Sequence, residues 1–234
     1  MTNRQYRRFI RYLRGEESEL LERVPLAQYG DSVLSLDEIE PDHREYLGDD
    51  AKGWADKLVS GYDDDRKFNG DDQPVVDVSW YAAQTYCLWL SILTQKTATA
   101  SETAPVYRLP NEIEWEWAAA GDREKENGAL RTYPWGETGP NDKLANYDGN
   151  VGATTPVGRY PDGATPEGLQ DMAGNVWEWC ANTWADNDQA RVVRGGSFSY
   201  SSVFLRCAYR GRFNPDFRNH FSGFRVVASQ VSGL

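Results

Sequence analysis

Two glycine-containing turns frame the part of the sequence that most constrains the fold. The first is Arg-Gly-Gly-Ser at residues 194–197, and the second is Gly-Phe-Arg-Val-Val at residues 223–227. Adjacent glycines indicate backbone conformations that other residues rarely adopt. A turn followed by valines predicts a short, half-buried strand. Both ends of the stretch are therefore expected to be framework, and they fix where the 25 residues between them begin and end.

The framed segment, residues 198–222, has an unusual composition. It contains no Glu, Lys, Gln, Met or Trp, although the whole chain has nine Trp and 36 acidic residues. Aromatic and small polar residues dominate it, and arginine is its main charged residue. Rigid rings supply contact area in binding surfaces, while Ser, Gly and Asn supply adaptable hydrogen bonds. The composition therefore predicts a ligand-binding surface.

Length and charge narrow the class of protein. A chain of 234 residues that is 40% hydrophobic predicts one large domain, residues 1–234, with an ample core. The net charge of -11 argues against nucleic acid as a partner. No stretch resembles a signal peptide or a membrane-inserting run, so the expected location is cytoplasmic.

The few cysteines and histidines exclude several kinds of site. Cys87, Cys180 and Cys207 lack metal-binding spacing and form an odd set, which predicts reduced, buried thiols. His43 and His220 are too few for a histidine metal site or a histidine-dependent triad.

Three helix starts are indicated by capping residues. Thr2, Ser79 and Asn111 each precede a stretch with helical spacing, and their side chains can cap a helix. The predicted helices cover residues 3–13, 80–93 and 112–120. Arg194 and Arg206 are expected to be buried and paired, because an unpaired buried charge is costly.

Residues 16–72 are acidic and have weaker patterns. Segments 16–26 and 50–58 are compatible with helices, so this region is predicted to be a helical insertion and not a second core. The aspartates at 63–72 resemble a calcium loop but lack the regular ligand alternation and a glutamate at the twelfth position. A solvated loop is predicted there.

Strand signals are short and scattered. They lie at residues 73–80, at 107–110, and at 168–179, where a turn precedes a strand. Residues 133–166 are rich in Gly, Pro, Asn and Asp, which predicts long loops pinned by ions or by packing. The sequence thus combines helices, short strands and long loops.

Seven motifs occur in order along nearly the whole chain. They are Thr-Asn-Arg-Gln-Tyr at 2–6, Pro-Val-Val-Asp-Val-Ser-Trp at 74–80, Arg-Leu-Pro-Asn-Glu-Ile-Glu-Trp-Glu at 108–116, Tyr-Pro-Trp-Gly at 133–136, Gly-Asn-Val-Trp-Glu-Trp at 174–179, Arg-Gly-Gly-Ser at 194–197 and Gly-Phe-Arg at 223–225. Together they resemble the formylglycine-generating enzyme (sulfatase-modifying factor) family. The resemblance implies a C-type-lectin-like fold, α+β, with little regular secondary structure. That family usually has strands before its Thr-Asn motif, so a shortened member or a fragment is expected.

The resemblance implies catalysis only where two cysteines follow the Gly-Gly-Ser turn, bind copper and activate oxygen on a substrate cysteine. Soft thiolates suit copper, so losing them removes the chemistry. Here the first position falls on Tyr200, and no second cysteine precedes Cys207, which matches the family's structural cysteine. Iron-dependent relatives need a histidine cluster, usually from a partner domain, which this sequence lacks. The expectation is therefore no catalysis and no required cofactor.

The family also includes variable proteins of diversity-generating retroelements, whose C-terminal segment is rewritten by mutagenic reverse transcription at template adenines. The usual targets are the Asn codons AAC and AAT. Changing their first two bases while keeping a pyrimidine third cannot produce Glu, Lys, Gln, Met or Trp, the types missing from 198–222. The resemblance thus implies a prokaryotic or phage-encoded protein whose variable segment, 194–227, binds a protein or other macromolecule.

Under this interpretation the candidate varied, ligand-binding positions are Phe198, Ser199, Tyr200, Ser201, Ser202, Phe204, Tyr209, Gly211, Phe213, Phe217, His220, Phe221 and Ser222. The positions between them are expected to be scaffold: Leu205, Arg206, Cys207, Ala208, Arg210, Asn214, Pro215, Asp216 and Arg218. Arg212 is expected at the ligand contact.

Two other interpretations stay open. A fixed regulatory or structural family member can carry a similar tail, with its aromatic residues in the core, and would require an upstream domain. An oxidoreductase acting on a sulfatase-like cysteine would require a metal or a nucleophile in a pocket near Tyr200.

The resemblance also implies structural calcium. The positions that bind calcium in the enzymes, two of them through carbonyls, fall on Asp171, Gly174, Val176 and Glu178. A weaker second set consists of Asn146 and the carbonyl of Tyr147. The alternative is that Asp171 and Glu178 brace loops by hydrogen bonds.

Overall fold

The computed structural model describes residues 1–36, 39–98, 104–122, 129–186 and 188–230. Its helices are α1 (Asn3–Leu13), α2 (Ser18–Arg23), α3 (Leu26–Leu34), α4 (Pro41–Leu47), α5 (Trp54–Leu58), α6 (Trp80–Thr97) and α7 (Glu112–Ala120). Its strands are β1 (Pro105–Arg108), β2 (Trp177–Thr183), β3 (Arg191–Arg194), β4 (Arg210–Phe213), β5 (Ser222–Gly223) and β6 (Val227–Gln230). Within these ranges, no helix has the length and apolar character needed to cross a membrane.

The capping residues set the helix starts as predicted. Thr2 and Asn111 each close a capping box at the first turn of α1 and α7, and the Ser79 hydroxyl accepts a backbone hydrogen bond at the start of α6. These bonds satisfy N–H groups that would otherwise lack partners. The helix α6 continues to Thr97, beyond the expected end.

The expected strand at 73–80 is wrong. Pro74 makes only an isolated bridge with Thr2, and Asp77 adopts a left-handed backbone conformation with φ of 56°. That conformation interrupts an extended chain. The Asp77 N–H instead bonds to the carbonyl of Asn219, at 2.9 Å. The segment thus joins the C-terminal segment instead of pairing as a strand.

Two sheets organise the C-terminal half. One has the order β4-β3-β2-β5, with β5 parallel to β2 and the other neighbours antiparallel; the second pairs β1 with β6. Both β4 and β5 belong to the segment 194–227. The segment therefore leaves the sheet after β3, covers it, and returns to it.

The helical region 16–72 packs on the main core. Tyr29, Trp54 and Leu58 are buried in the same hydrophobic cluster as Phe9 of α1 and Trp179 of β2. Its helices occupy residues 18–58, and turns follow from 59 to 72. The segment expected to form one helix at 16–26 is divided at Pro25, which begins a new helix instead.

His43 of α4 is buried against this core and should make stability depend on pH. Its Nε2 lies 2.9 Å from the Thr85 hydroxyl, and burial lowers the pKa of His43 from 6.5 to about 4. The unfolded chain therefore binds more protons between these pH values. The stability that the buried, neutral His43 contributes is full above pH 6.5 and is lost as the pH falls from there through the folded-state pKa of about 4.

The lowering of the His43 pKa corresponds to about 3 kcal/mol of unfolding free energy. Between pH 7 and pH 4, the unfolding free energy of the wild type should fall by about 3 kcal/mol more than that of His43→Gln. Urea denaturation at several pH values measures this difference, and parallel pH profiles for the two proteins would contradict it.

Candidate ligand-binding surface

Six aromatic side chains of the C-terminal segment form a continuous aromatic layer over the four-stranded sheet. Neighbouring ring centroids lie 5.1 Å apart for Tyr200 and Phe204, 5.4 Å for Tyr200 and Phe221, and 4.6 Å for Phe213 and Phe217. Every ring is half-buried. The members of the layer are Tyr200, Phe204, Tyr209, Phe213, Phe217 and Phe221.

Two buried tryptophans of β2 form the floor under this layer. Trp177 contacts Tyr200 edge-to-face at 5.5 Å, and Trp179 contacts Phe213 at 5.9 Å. The indole N–H of Trp177 has no hydrogen-bond partner among the described residues. One side of each ring packs on the core, and the other side is partly open, as a preorganised contact surface requires.

Backbone geometry at the Gly-Gly turn directs the segment onto the sheet. Gly195 and Gly196 have φ of 91° and 73°, in the left-handed region that disfavours other residues. A Cβ atom on Gly196 would lie 2.9 Å from the carbonyl oxygen of Phe204. The turn thus requires glycine, and the framework role predicted for it is confirmed.

Charged side chains hold the start of the segment. Arg194 is fully buried and donates to Glu112 at 2.9 Å, to Glu116 at 2.6 Å and to the carbonyl of Cys207 at 2.6 Å. Its predicted burial and pairing are confirmed. The same prediction is wrong for Arg206, which is exposed and, within the described part of the chain, donates only to the carbonyl of Val203. It follows a short 3₁₀ helix whose irregular backbone gives no periodic signal for side-chain direction.

A second ion pair holds the end of the segment. Arg218 donates to the carboxylate of Asp77 at 3.0 Å and to its carbonyl at 2.9 Å. It also donates to the carbonyls of Lys57 and Val59 on the helical region. Its expected role as scaffold is consistent with these bonds.

The predicted binding positions differ in how far their side chains are exposed to solvent. Ser199 and Ser201 are exposed, while Ser202 and His220 are half-buried beside the aromatic layer. His220 lies 5.4 Å from Phe221, ring centroid to ring centroid. With the six rings, these positions could all meet a ligand.

Three predicted binding positions need correction. Phe198 and Ser222 are buried, and Phe198 packs against Phe68 at a ring distance of 5.9 Å. Gly211 is crowded, because a Cβ there would lie 2.9 Å from a methyl of Val193. The composition of the segment suggested these positions, but composition carries no information on which way a side chain points.

Two arginines and a tryptophan border β4 and form a rim that the composition of the segment did not predict. The guanidinium carbons of Arg210 and Arg212 lie 4.2 and 5.3 Å from the ring centroid of Trp184. Arg212 is exposed, as expected for a contact residue, and lies 3.3 Å from Asp188. Trp184 was missed because it lies before the framed segment.

The first set of calcium positions is already satisfied by protein groups. Glu178 accepts from Trp115 at 2.7 Å and from Arg225 through both carboxylate oxygens, at 2.5 and 2.7 Å. Asp171 accepts from the N–H of Gly158 at 2.7 Å, and burial raises the pKa of Asp171. A guanidinium bonded to Glu178 repels a cation, so this set does not fit calcium. Both side chains brace loops instead.

The two carbonyl positions of the first set, Gly174 and Val176, line the same cavity as Glu178, with a volume of about 250 Å³.

The weaker calcium positions, Asn146 and Tyr147, keep one feature of a site. Asn146 donates to the carbonyl of Ala153, but its Oδ1 is buried and has no partner among the described residues. Such an oxygen fits a water or a cation, so calcium there stays a prediction. Within the described ranges, no three His, Cys, Asp or Glu side chains converge to hold a metal.

The three cysteines are buried, and burial raises the pKa of Cys207 to about 12 and raises the pKa of Cys87 and Cys180 further. Thiols in such surroundings react slowly because the thiolate is the reactive form. With excess Ellman's reagent at pH 8, the native protein should show no fast-reacting thiol, and all three should react in concentrated guanidinium chloride. A fast native thiol would favour the enzyme interpretation.

The layered sheets, the helical half and the glycine-framed segment define an α+β domain with a C-type-lectin-like fold. The chain belongs to the sulfatase-modifying factor enzyme 1-like domain family, whose model matches residues 1–230.

Several bacterial proteins are similar in sequence. The chain is 31% identical over 210 residues to hercynine oxygenase of Mycolicibacterium thermoresistibile, covering 75% of this chain and 43% of that protein. It is 36% identical over 172 residues to serine/threonine-protein kinase Pkn1 of Chlamydia trachomatis, covering 66% and 24%. Formylglycine-generating enzyme of Thermomonospora curvata is 32% identical over 197 residues, covering 68% and 57%. The chain therefore spans less than half of the hercynine oxygenase.

Solved structures show the same fold. Treponema denticola variable protein 1 has a TM-score of 0.55 and 27% identity, covering 68% of this chain and 72% of that one. PvdO from Pseudomonas aeruginosa has a TM-score of 0.54 and 27% identity, covering 69% and 64%.

Proposed function

We propose that this domain is a non-catalytic binding protein whose C-terminal segment presents a diversified surface to a macromolecular ligand. The observation that carries the proposal is the way the segment divides between surface and frame. Most of the candidate varied positions lie on one half-open surface, while Leu205 and Cys207 between them are buried. Arg210 and Arg218, also between them, are held by ion pairs. Side chains on the surface can vary while the frame stays fixed.

The shape of the layer favours a large ligand over a small molecule. The layer takes rings from most of the segment, from Tyr200 to Phe221, and neighbouring rings contact one another in edge-to-face or tilted arrangements. Extended aromatic surfaces bind proteins through area buried at low entropic cost. The similarity to a variable protein of Treponema denticola supports the same role.

The position of the copper-binding cysteine in the enzymes corresponds to Tyr200, whose ring packs on Trp177. A phenol does not supply the soft thiolate that copper prefers, and burial raises the pKa of Tyr200 further above neutral pH. The loss of the thiolate supports recognition without chemistry.

A fixed module of a larger protein is the second candidate. The match to a kinase of which this domain covers 24% supports it, as does the half-burial of every ring in the layer. The two candidates differ in whether the surface tolerates change.

A pair of libraries tests this difference. The first randomises, with pyrimidine-ending codons, the accessible positions Ser199, Tyr200, Ser201, Ser202, Phe204, Tyr209, Phe213, Phe217, His220 and Phe221. The matched library randomises an equal number of framework positions that include Arg194, Leu205, Cys207, Arg210 and Arg218. Proteolysis of displayed variants should show that most surface variants fold and few framework variants do. Equal loss of folding in both libraries would overturn the proposal.

A further inference from the structure

The outermost strand of the main sheet lies inside the proposed binding segment. β4 pairs with β3 along its whole length, from Arg210 opposite Arg194 to Phe213 opposite Arg191. In the described part of the chain, no strand pairs with the other edge of β4, and no backbone bond outside the β3 ladder reaches residues 210–213. Alternate residues of such an edge direct N–H and C=O groups outward.

The two faces of β4 differ in chemistry. Gly211 and Phe213 lie on the face of the tryptophan floor, where a Cβ on Gly211 would be 3.4 Å from the ring of Trp177. Arg210 and Arg212 lie on the opposite face, where both contact Trp184. A strand added to this edge would meet an aromatic surface on one side and guanidinium groups on the other.

We propose that the ligand of this domain docks an extended segment onto β4 as a fifth strand of the sheet, with apolar and acidic residues in alternation. The inference rests on the proposed function and names the kind of partner: a protein that offers an exposed strand. Backbone bonds to the edge supply affinity, and alternate side chains supply specificity.

Arg212 is the charge at this edge that is available to an incoming carboxylate. Arg212 and Asp188 form an exposed pair at 3.3 Å, and exposed pairs contribute little net stability. The Arg212 side chain can therefore change partner at small cost. Arg210 is bonded to Glu112 at 2.5 and 2.7 Å and stays in place as part of the frame.

A defined peptide replaces the unknown ligand in the test. An eight-residue peptide of alternating Val and Glu should bind the full chain, with a block peptide of the same composition as control. Nuclear magnetic resonance of the labelled protein should show shifts at residues 210–213 and slower exchange of their outward amides. A sedimentation measurement without peptide should show no dimer joined through this edge.

N-methylated peptides make the test specific to strand pairing. In an added strand, residues with their side chains on one face also direct their N–H groups to one edge. One peptide is methylated at the N–H of every Val and a second at the N–H of every Glu. One of the two should bind at least about tenfold more weakly than the parent peptide, and the other should keep an affinity near that of the parent. Arg212→Glu should reverse the preference, favouring a Val–Lys peptide, whereas Arg206→Glu should not.

Several results would overturn the inference. They are no saturable binding of the alternating peptide, equal effects of both methylation patterns, or protected β4 amides in a peptide-free dimer. If the surface library folds and yields binders while methylation has no effect, strand addition is wrong and the proposed function stands. If the surface library fails to fold, the proposed function is wrong.

Discussion

Replacing Arg194 by alanine should lower the free energy of unfolding by about 3–5 kcal/mol, because the change removes one partner of a buried charge network. The Arg194 side chain is fully buried, and it bonds to Glu112, Glu116 and the carbonyl of Cys207. Without it, the Glu116 carboxylate loses its bonded guanidinium, and a buried carbonyl loses its donor. Urea denaturation followed by tryptophan fluorescence measures the loss.

Arg206→Ala is the matched control for this prediction. Arg206 carries the same charge in the same segment, but it is exposed, and its bond is to the nearby carbonyl of Val203. Its replacement should change the unfolding free energy by less than about 0.5 kcal/mol. Similar losses in the two variants would show that the ion pairs under the Gly-Gly turn do not hold the segment.

Replacing Trp177 by alanine should cost about 3–5 kcal/mol and disorder the aromatic layer above it. The side chain is 2% exposed and supports Tyr200, Phe204 and Tyr209. Removing it leaves a cavity that these rings cannot fill without leaving the sheet. Urea denaturation measures the stability, and hydrogen exchange at 199–213 measures the order of the segment.

Two variants separate this floor role from a general effect of tryptophan loss. Trp177→Phe removes an indole N–H that has no hydrogen-bond partner among the residues that the structure describes, so it should cost only about 1–2 kcal/mol. Trp117→Ala removes a side chain that is 59% exposed on α7 and should have little effect. A small loss for Trp177→Ala, with unchanged exchange at 199–213, would contradict the account.

The sequence predicts those parts of the fold that local chemistry determines. Ser79 and Asn111 fix helix starts because a capping side chain satisfies backbone groups next to it in the chain. Burial of Arg194 and of Arg206 was predicted on one ground, that a buried charge must be paired, and only Arg194 meets acidic partners, Glu112 and Glu116 of α7. The directions of Arg206 and Phe198 could not be read from the sequence, because an irregular segment has no period from which side-chain direction follows.

Long-range contacts explain the remaining differences. Asp77 looks like part of a strand in the sequence, but its left-handed backbone is held by Asn219 and Arg218 from the far end of the chain. Glu178 matches a calcium ligand in the family motif, yet Arg225 occupies both of its oxygens. No local pattern reports a partner more than forty residues away along the chain.

The most direct test of the central claim is to sequence the complete genome that carries this gene. If the C-terminal segment is diversified, the DNA near the gene holds a close copy of the codons for residues 194–225. That copy has AAC or AAT at surface positions such as Tyr200, Phe213 and Phe217, and a reverse-transcriptase gene lies beside it. A complete genome without such a copy would contradict diversification and favour a fixed module of the same family.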